Sequence, residues 1–289
     1  MEAVTPTPPA YPGIGQAIRL LLLALGVSVV AQGALLALKQ VGVDPGHPGA
    51  QAGASLVTFA VVVAYGIRRS RAAWRDILPL GPVPLSLLAP MAVAVLGVGI
   101  LLSEADNLLR TVLPPPAWLE RMFAELAGGR RSLWGSIALL VVAAPVTEEA
   151  LFRGVILRGF LGRYAVRRAV IASALLFAVF HLNPWQFLGA ATAGVLFAWW
   201  RAATGSLVPG LVCHALNNAM PIVAANVAGL RIRGYAGVPA GMVEFHPWWF
   251  DALGLALAAG GLWLVARRLR LLPVPAATTD QGAGDVPFR

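Results

Sequence analysis

The chain has one cysteine, one lysine and little charge of either sign, and each scarcity excludes something. Cys213 alone can form neither a disulfide within the chain nor a cysteine metal cluster. Charged residues make up 12% of the 289 positions, about half of the roughly 25% typical of a soluble domain. Too few are present to coat a water-facing surface. No internal repeat is visible, which argues against the repeated halves of secondary transporters. Lysine is reduced to Lys39 among 22 basic residues, a composition bias without functional content.

Apolar residues fill the space that charge leaves, at 58% of the chain. They fall in runs near the ~20 residues needed to cross a bilayer. Eight spans are expected, at about 18–38, 51–67, 83–103, 132–162, 169–183, 187–204, 207–229 and 247–266. The fold class is therefore all-α: a polytopic membrane protein of about eight transmembrane helices. Residues 1–13 read as an irregular, proline-rich leader and 14–272 as one transmembrane domain with its motif core at 132–229. Residues 273–289 read as a disordered tail. The first span lacks a clear small-residue cleavage site and reads as an uncleaved anchor.

The net charge of +9 does not point to nucleic acid, because the arginines cluster between spans: RRSRAAWR at 68–75, RYAVRR at 163–168, RRLR at 267–270. Such clusters mark loops kept on the cytoplasmic side and also attract anionic lipid. With the N-terminus inside, fourteen basic residues fall on inner segments and seven on outer ones, Arg153 lying within a span. Both termini are thus expected in the cytoplasm. Pro114 to Arg131 is too polar to cross; Trp118, Leu119, Met122, Phe123 and Leu126 recur at helical spacing, as in an interfacial amphipathic helix. His47 and His246, each beside a proline, read as solvated loop residues. Glu104 and Asp106 read as interfacial charges ending the third span.

Polar groups within the spans are few and patterned. In VVAAPVTEEALFRGVIL, Glu148, Glu149 and Arg153 interrupt an otherwise apolar run. Glu149 and Arg153 are four apart, as are Phe177 and His181, and His214 and Asn218, so each pair shares one helix face. Glu148 lies about 21 Å from the end of its span and His181 about 18 Å from the start of its own, by the 1.5 Å rise. His214, seven residues into its span, matches this depth less well.

Each feature alone has a bland reading. Glu149 and Arg153 could be an ion pair that fixes packing; His181, or His214 with Asn218, could bond a neighbouring carbonyl; Phe177 is core packing. One arginine does not neutralise two adjacent carboxylates, however, and an unpaired carboxylate at this depth is costly. Two carboxylates, two imidazoles and an amide on three spans have the composition of a hydrolytic site. Glutamate and histidine move protons, and histidine and asparagine donate to an oxyanion. Glu148, His181 and His214 would equally serve as ligands of a divalent metal such as zinc; residue identity leaves a metal or none open. A non-catalytic immunity or scaffold protein and a proton-coupled transporter are the competing classes.

E-E-x-x-x-R (Glu148, Glu149, Arg153), F-x-x-x-H (Phe177, His181) and H-x-x-x-N (His214, Asn218) occur in that order on successive apolar segments. This pattern resembles the signature of the CPBP family, the CAAX prenyl proteases and bacteriocin-processing (ABI) enzymes. The resemblance implies an all-helical intramembrane endopeptidase whose transmembrane helices enclose an intramembrane active-site cavity and which acts on a membrane-anchored peptide or protein. It implies that Glu148 and His181 activate water, that His214 and Asn218 line the oxyanion hole, and that Glu149 and Arg153 support the site as a pair. Some members are described as metalloproteases, while a metal-free, glutamate-dependent mechanism is also proposed. The chain looks bacterial, placing it in the inner membrane, with an entrance expected to face the cytoplasm.

Overall fold

The computed structural model describes residues 10–237 and 241–271. The expected tail at 273–289 and most of the expected leader lie outside these residues. Among them, nine helices of more than one or two turns account for the architecture. They are α1 (Ile14–Leu38), α2 (Pro48–Ser70), α3 (Leu85–Val112), α4 (Ala117–Gly128), α5 (Leu133–Leu161), α6 (Val166–Phe180), α7 (Pro184–Thr204), α8 (Val208–Asn226) and α9 (Trp248–Leu269). There is no β-sheet among the described residues, and the protein is an all-α polytopic membrane protein.

Each of the eight expected spans is a helix. Six of them, α1 with its trailing turn to Val41, α2, α3, α5, α8 and α9, are long and apolar enough to cross a bilayer. The other two differ for separate reasons. Helix α6 has 15 residues, about 22 Å at 1.5 Å per residue, short of a hydrocarbon core of ~30 Å. Helix α7 has 21 residues but carries Gln186 and Arg201. The third span runs beyond its expected end to Val112. Glu104 and Asp106 therefore lie inside a helix, where Asn107 donates to Glu104 at 3.0 Å and Arg110 pairs with Asp106 at 2.6 Å.

Side-chain size decides which helices meet. Pro90, Ala94 and Gly97 on α3 share one face by their four- and three-residue spacing, as do Gly254, Ala258 and Gly261 on α9. A Cβ on Gly97 would lie 2.2 Å from the Ala258 backbone nitrogen, and one on Gly261 2.5 Å from that of Ala94. The two backbones touch along this seam, the close approach that small residues allow between membrane helices. Helix α5 is central. Every residue from Leu151 to Leu157 is buried, as a helix apolar on all sides requires. Phe152 packs edge-on to Phe177 of α6 with ring centroids 5.0 Å apart.

The expected amphipathic helix is α4, with Leu119 buried and Trp118 and Met122 exposed. Gly129 ends it in the left-handed conformation (φ +62°) that glycine adopts readily. His246, expected in solvent, has a fully buried side chain. Its Nδ1–H donates to Asp251 at 2.9 Å, its backbone N–H donates to Glu104 at 3.0 Å, and Nε2 meets Ser103 Oγ at 3.3 Å. Proline beside it set only the local chain direction; contacts with α3 and α9 buried the ring. His47 likewise has a structural task, its Nδ1 accepting from Gly49 N–H as the N-cap of α2.

Candidate active site

The site begins with a proline. Pro145 has no N–H, so one carbonyl upstream must go without its helical donor. Helix α5 is wound more loosely than an α-helix over Ile137–Ala143, and the Ala144 N–H reaches back five residues to Leu139 O. In that pattern the next acceptor is Leu140 O, and position 145 cannot supply it. Asn218 of α8 does: its Nδ2–H donates to Leu140 O at 2.9 Å. A second loose segment covers Ala150–Ile156. Thr147, Glu148 and Glu149 lie in the short α-helical stretch between the two, and such π segments recur at functional sites.

Glu149 and Arg153 form the expected pair, with Nη1 2.9 Å from Oε1 and both side chains essentially unexposed. The structure adds a third member. His214 Nδ1 lies 3.0 Å from the same Oε1, and since an ionised carboxylate only accepts, Nδ1 carries the hydrogen. The guanidinium is held over the rings of Phe177 (4.4 Å) and Phe197 (5.5 Å), and its Nη2 donates to Gly194 O at 3.3 Å. Phe197 also stacks on His214, with centroids 5.5 Å apart and planes 29° apart. Gly210, one turn before His214, leaves room for the carboxylate: a Cβ there would lie 2.5 Å from Glu149 Oε2.

With Nδ1 occupied, the Nε2 of His214 faces Glu148, 3.7 Å from Oε2. Glu148 retains 20% side-chain exposure while Glu149 has none, so only the first carboxylate has access to a reactant. Its Oε2 has no hydrogen-bond partner in the protein. The depth mismatch expected for His214 is resolved at the start of α8. Ser206 and Leu207 are buried, bonded to Gly81 O and from Leu207 N–H to Pro79 O. The helix thus starts inside the protein, and six residues suffice to bring His214 level with Glu148.

His181 caps the end of α6 and is followed by Leu182 at φ +51°. Its Nδ1 lies 2.9 Å from Phe177 O; a carbonyl only accepts, so Nδ1–H donates and Nε2 keeps its lone pair in the neutral ring. Phe177 links the two imidazoles, edge-on to His181 at 4.8 Å and to His214 at 5.9 Å. The phenylalanine expected to be simple packing is the spacer between them. Asn217 donates to Asn218 Oδ1 at 3.3 Å. The structure therefore joins Glu148, Glu149, Arg153 and His214 directly, reaches His181 through Phe177, and anchors Asn218 on α5. Pro145, Phe197, Asn217 and Gly210 were not singled out in the sequence. Proline three residues before the glutamates and glycine one turn before the histidine were the available signals.

The three residues offered as metal ligands are not gathered about one point. Among the described residues, the one group of three or more His, Cys, Asp or Glu donors lying within 4.8 Å of one another is Glu104, His246 and Asp251. Glu148, His181 and His214 are not drawn together in that way, although both imidazoles spend Nδ1 on a protein acceptor and leave Nε2 free, as a metal-ligating histidine also does.

A cavity of about 390 Å³ lies between α3, α7 and α8, lined by Leu102, Ser103, Trp185, Gly189, Met220 and Tyr235 among others. Asn217 and Asn218 line it too, whereas Glu148, His181 and His214 do not. It occupies the half of the bundle holding the ends of α3 and α8 and the start of α7. The arginine clusters lie at the other end. The cavity and the basic loops are thus at opposite ends of the bundle. Only the packing of α3 against α7 and α8 reveals this.

Residues 130–220 match the family model described as Type II CAAX prenyl endopeptidase Rce1-like. The match encloses all three motifs over about a third of the chain, and the similarity to the CAAX protease (CPBP) family rests on it. That family is one of proteases. No curated protein and no solved structure gives a significant match.

Proposed function

We propose, from that similarity and the geometry of the site, that the protein is an intramembrane endopeptidase that hydrolyses a peptide bond of a membrane-associated peptide or protein. The observation that carries this reading is the relay Arg153–Glu149–His214, which ends on Glu148. Arg153 holds the Glu149 carboxylate, and Glu149 sets the imidazole tautomer and orientation, as an orienting carboxylate does in other hydrolytic sites. His214 thereby presents Nε2 to the one carboxylate that is open to a reactant. A packing ion pair alone would need neither the histidine nor the second glutamate.

Each group has one task. Glu148 takes the proton of the attacking water, and His181 Nε2, with its lone pair free, shares that work. His214, held through Nδ1–H, donates from Nε2 to the oxyanion when that nitrogen carries a proton. Asn218 spends one amide hydrogen on Leu140 O and keeps the other for the same oxygen. Glu149 and Arg153 are positioning residues. The low-dielectric surroundings strengthen each of these contacts. No step runs through a metal.

The test is a comparison of membrane proteomes from cells carrying the wild-type chain or Glu148→Ala. Peptides with new termini should appear only with the wild type. Identical sets of termini from the two would sink the proteolytic reading.

A further inference from the structure

Arg201, in the last turn of α7, is 9% exposed, and among the described residues no hydrogen bond or ion pair engages its side chain. Its Nε is fully buried without an acceptor. The charge that acts on it is that of Arg158, a like charge from the last turn of α5. Arg158 too has no carboxylate partner among the described residues. The carbonyl ends of the two helices carry only partial negative charge, which is no substitute for a counter-anion at a guanidinium with so little exposure. The buried Arg153 shows the contrast, with a carboxylate, a carbonyl and two aromatic faces around it.

The shape of this end explains how an anion would reach the pair. Glu148 and His214 are level. Helix α5 continues 13 residues past Glu148, about 20 Å, while α8 starts six residues before His214, about 9 Å, at 1.5 Å per residue. The α7–α8 turn therefore stops about 10 Å short of the end of α5 by the same rise. Arg201 lies beside that recessed turn, and Arg158 lies on the taller helix.

We infer that Arg201 and Arg158 form a binding site for a phosphate group, and that its occupant is the headgroup of an anionic phospholipid reaching in from the arginine-rich face of the membrane. Two guanidiniums from different helices present several N–H donors to one phosphate, the geometry arginine favours for that group. The lipid would tie α5, which carries the glutamates, to α7, which carries Phe197 and Gly194.

Native mass spectrometry of the full chain released from nanodiscs tests this. In phosphatidylglycerol, one lipid adduct should survive at about 0.15 M salt, where attraction by exposed charges is screened. Arg201→Gln should lower the retained fraction about ten-fold or more, the loss expected for charge-assisted hydrogen bonds. Arg158→Gln, at a half-buried position, should do the same and reports on the site if the first variant does not fold. Arg167→Gln, an exposed arginine at the same end, should leave the adduct in place, and phosphatidylcholine should give none. Stabilisation of the wild type but not of Arg201→Gln by inorganic phosphate, with no lipid adduct, would keep the site and change its occupant to free phosphate. An adduct indifferent to both substitutions, or equal retention of the two lipids without any phosphate response, overturns the proposal.

Discussion

Substituting Gly210 by alanine perturbs the site without removing any group that does chemistry. The added Cβ would meet Glu149 Oε2 at 2.5 Å and Cδ at 3.1 Å, against ordinary contacts of 3.4 Å or more. Relief requires the carboxylate to move by about 1 Å, a typical overpacking response. Its other oxygen is held at 2.9 Å by Arg153 and at 3.0 Å by His214, so a pivot of that size breaks one bond or carries the imidazole with it. Overpacking costs about 1–3 kcal/mol, and alanine returns about 1 kcal/mol over glycine in a helix interior. The net loss of stability is thus expected at about 0–2 kcal/mol, difference of those terms. A misplacement near 1 Å at a reacting group costs about 10²-fold in rate. Turnover of a substrate identified by the proteomic comparison should therefore fall about 10²-fold while thermal unfolding in detergent changes little. The ¹⁵N resonances of His214 should shift, which reports on the imidazole whether or not a substrate is in hand. Wild-type turnover together with unchanged histidine resonances would refute the claim that Glu149 positions His214.

Glu148→Ala and His181→Ala should each lower turnover about 10²–10⁴-fold, the usual loss on removing a general base; wild-type turnover in either would remove that residue from the water-activating pair. Arg153→Ala leaves Glu149 buried and unbalanced, and thermal and denaturant unfolding should show a loss of about 3–5 kcal/mol. Part of that loss should return in Glu149→Gln/Arg153→Met, and full stability of the single variant would count against the pair. Reporter fusions at Arg289 and Gly129 should read cytoplasm and outer side, respectively, as the arginine distribution requires. The cavity would then open outward, and the reverse readings would place it toward the cytoplasm.

Much of the fold was legible because its signals are local. Run length identified membrane helices, and a four-residue spacing placed Glu149 above Arg153 on one face, where they meet at 2.9 Å. The three motifs lie on helices that the structure brings side by side. What no local pattern carries is the register of one helix against another. That His214 would share Glu149 with Arg153 depends on α8 starting deep, which follows from the Ser206 and Leu207 bonds to the segment at 79–81. That Asn218 would brace α5 depends on a carbonyl left open by Pro145 in a loosened helix. His246, beside a proline in a polar stretch, reads as solvated until α3 and α9 close on it through the glycine seam. The sequence by itself determined which segments are helical and which residue types they carry inward. Tertiary packing alone decided which of those residues touch and at which end of the bundle the cavity lies, because contacts between helices depend on relative depth and rotation, and a helix repeat is blind to both.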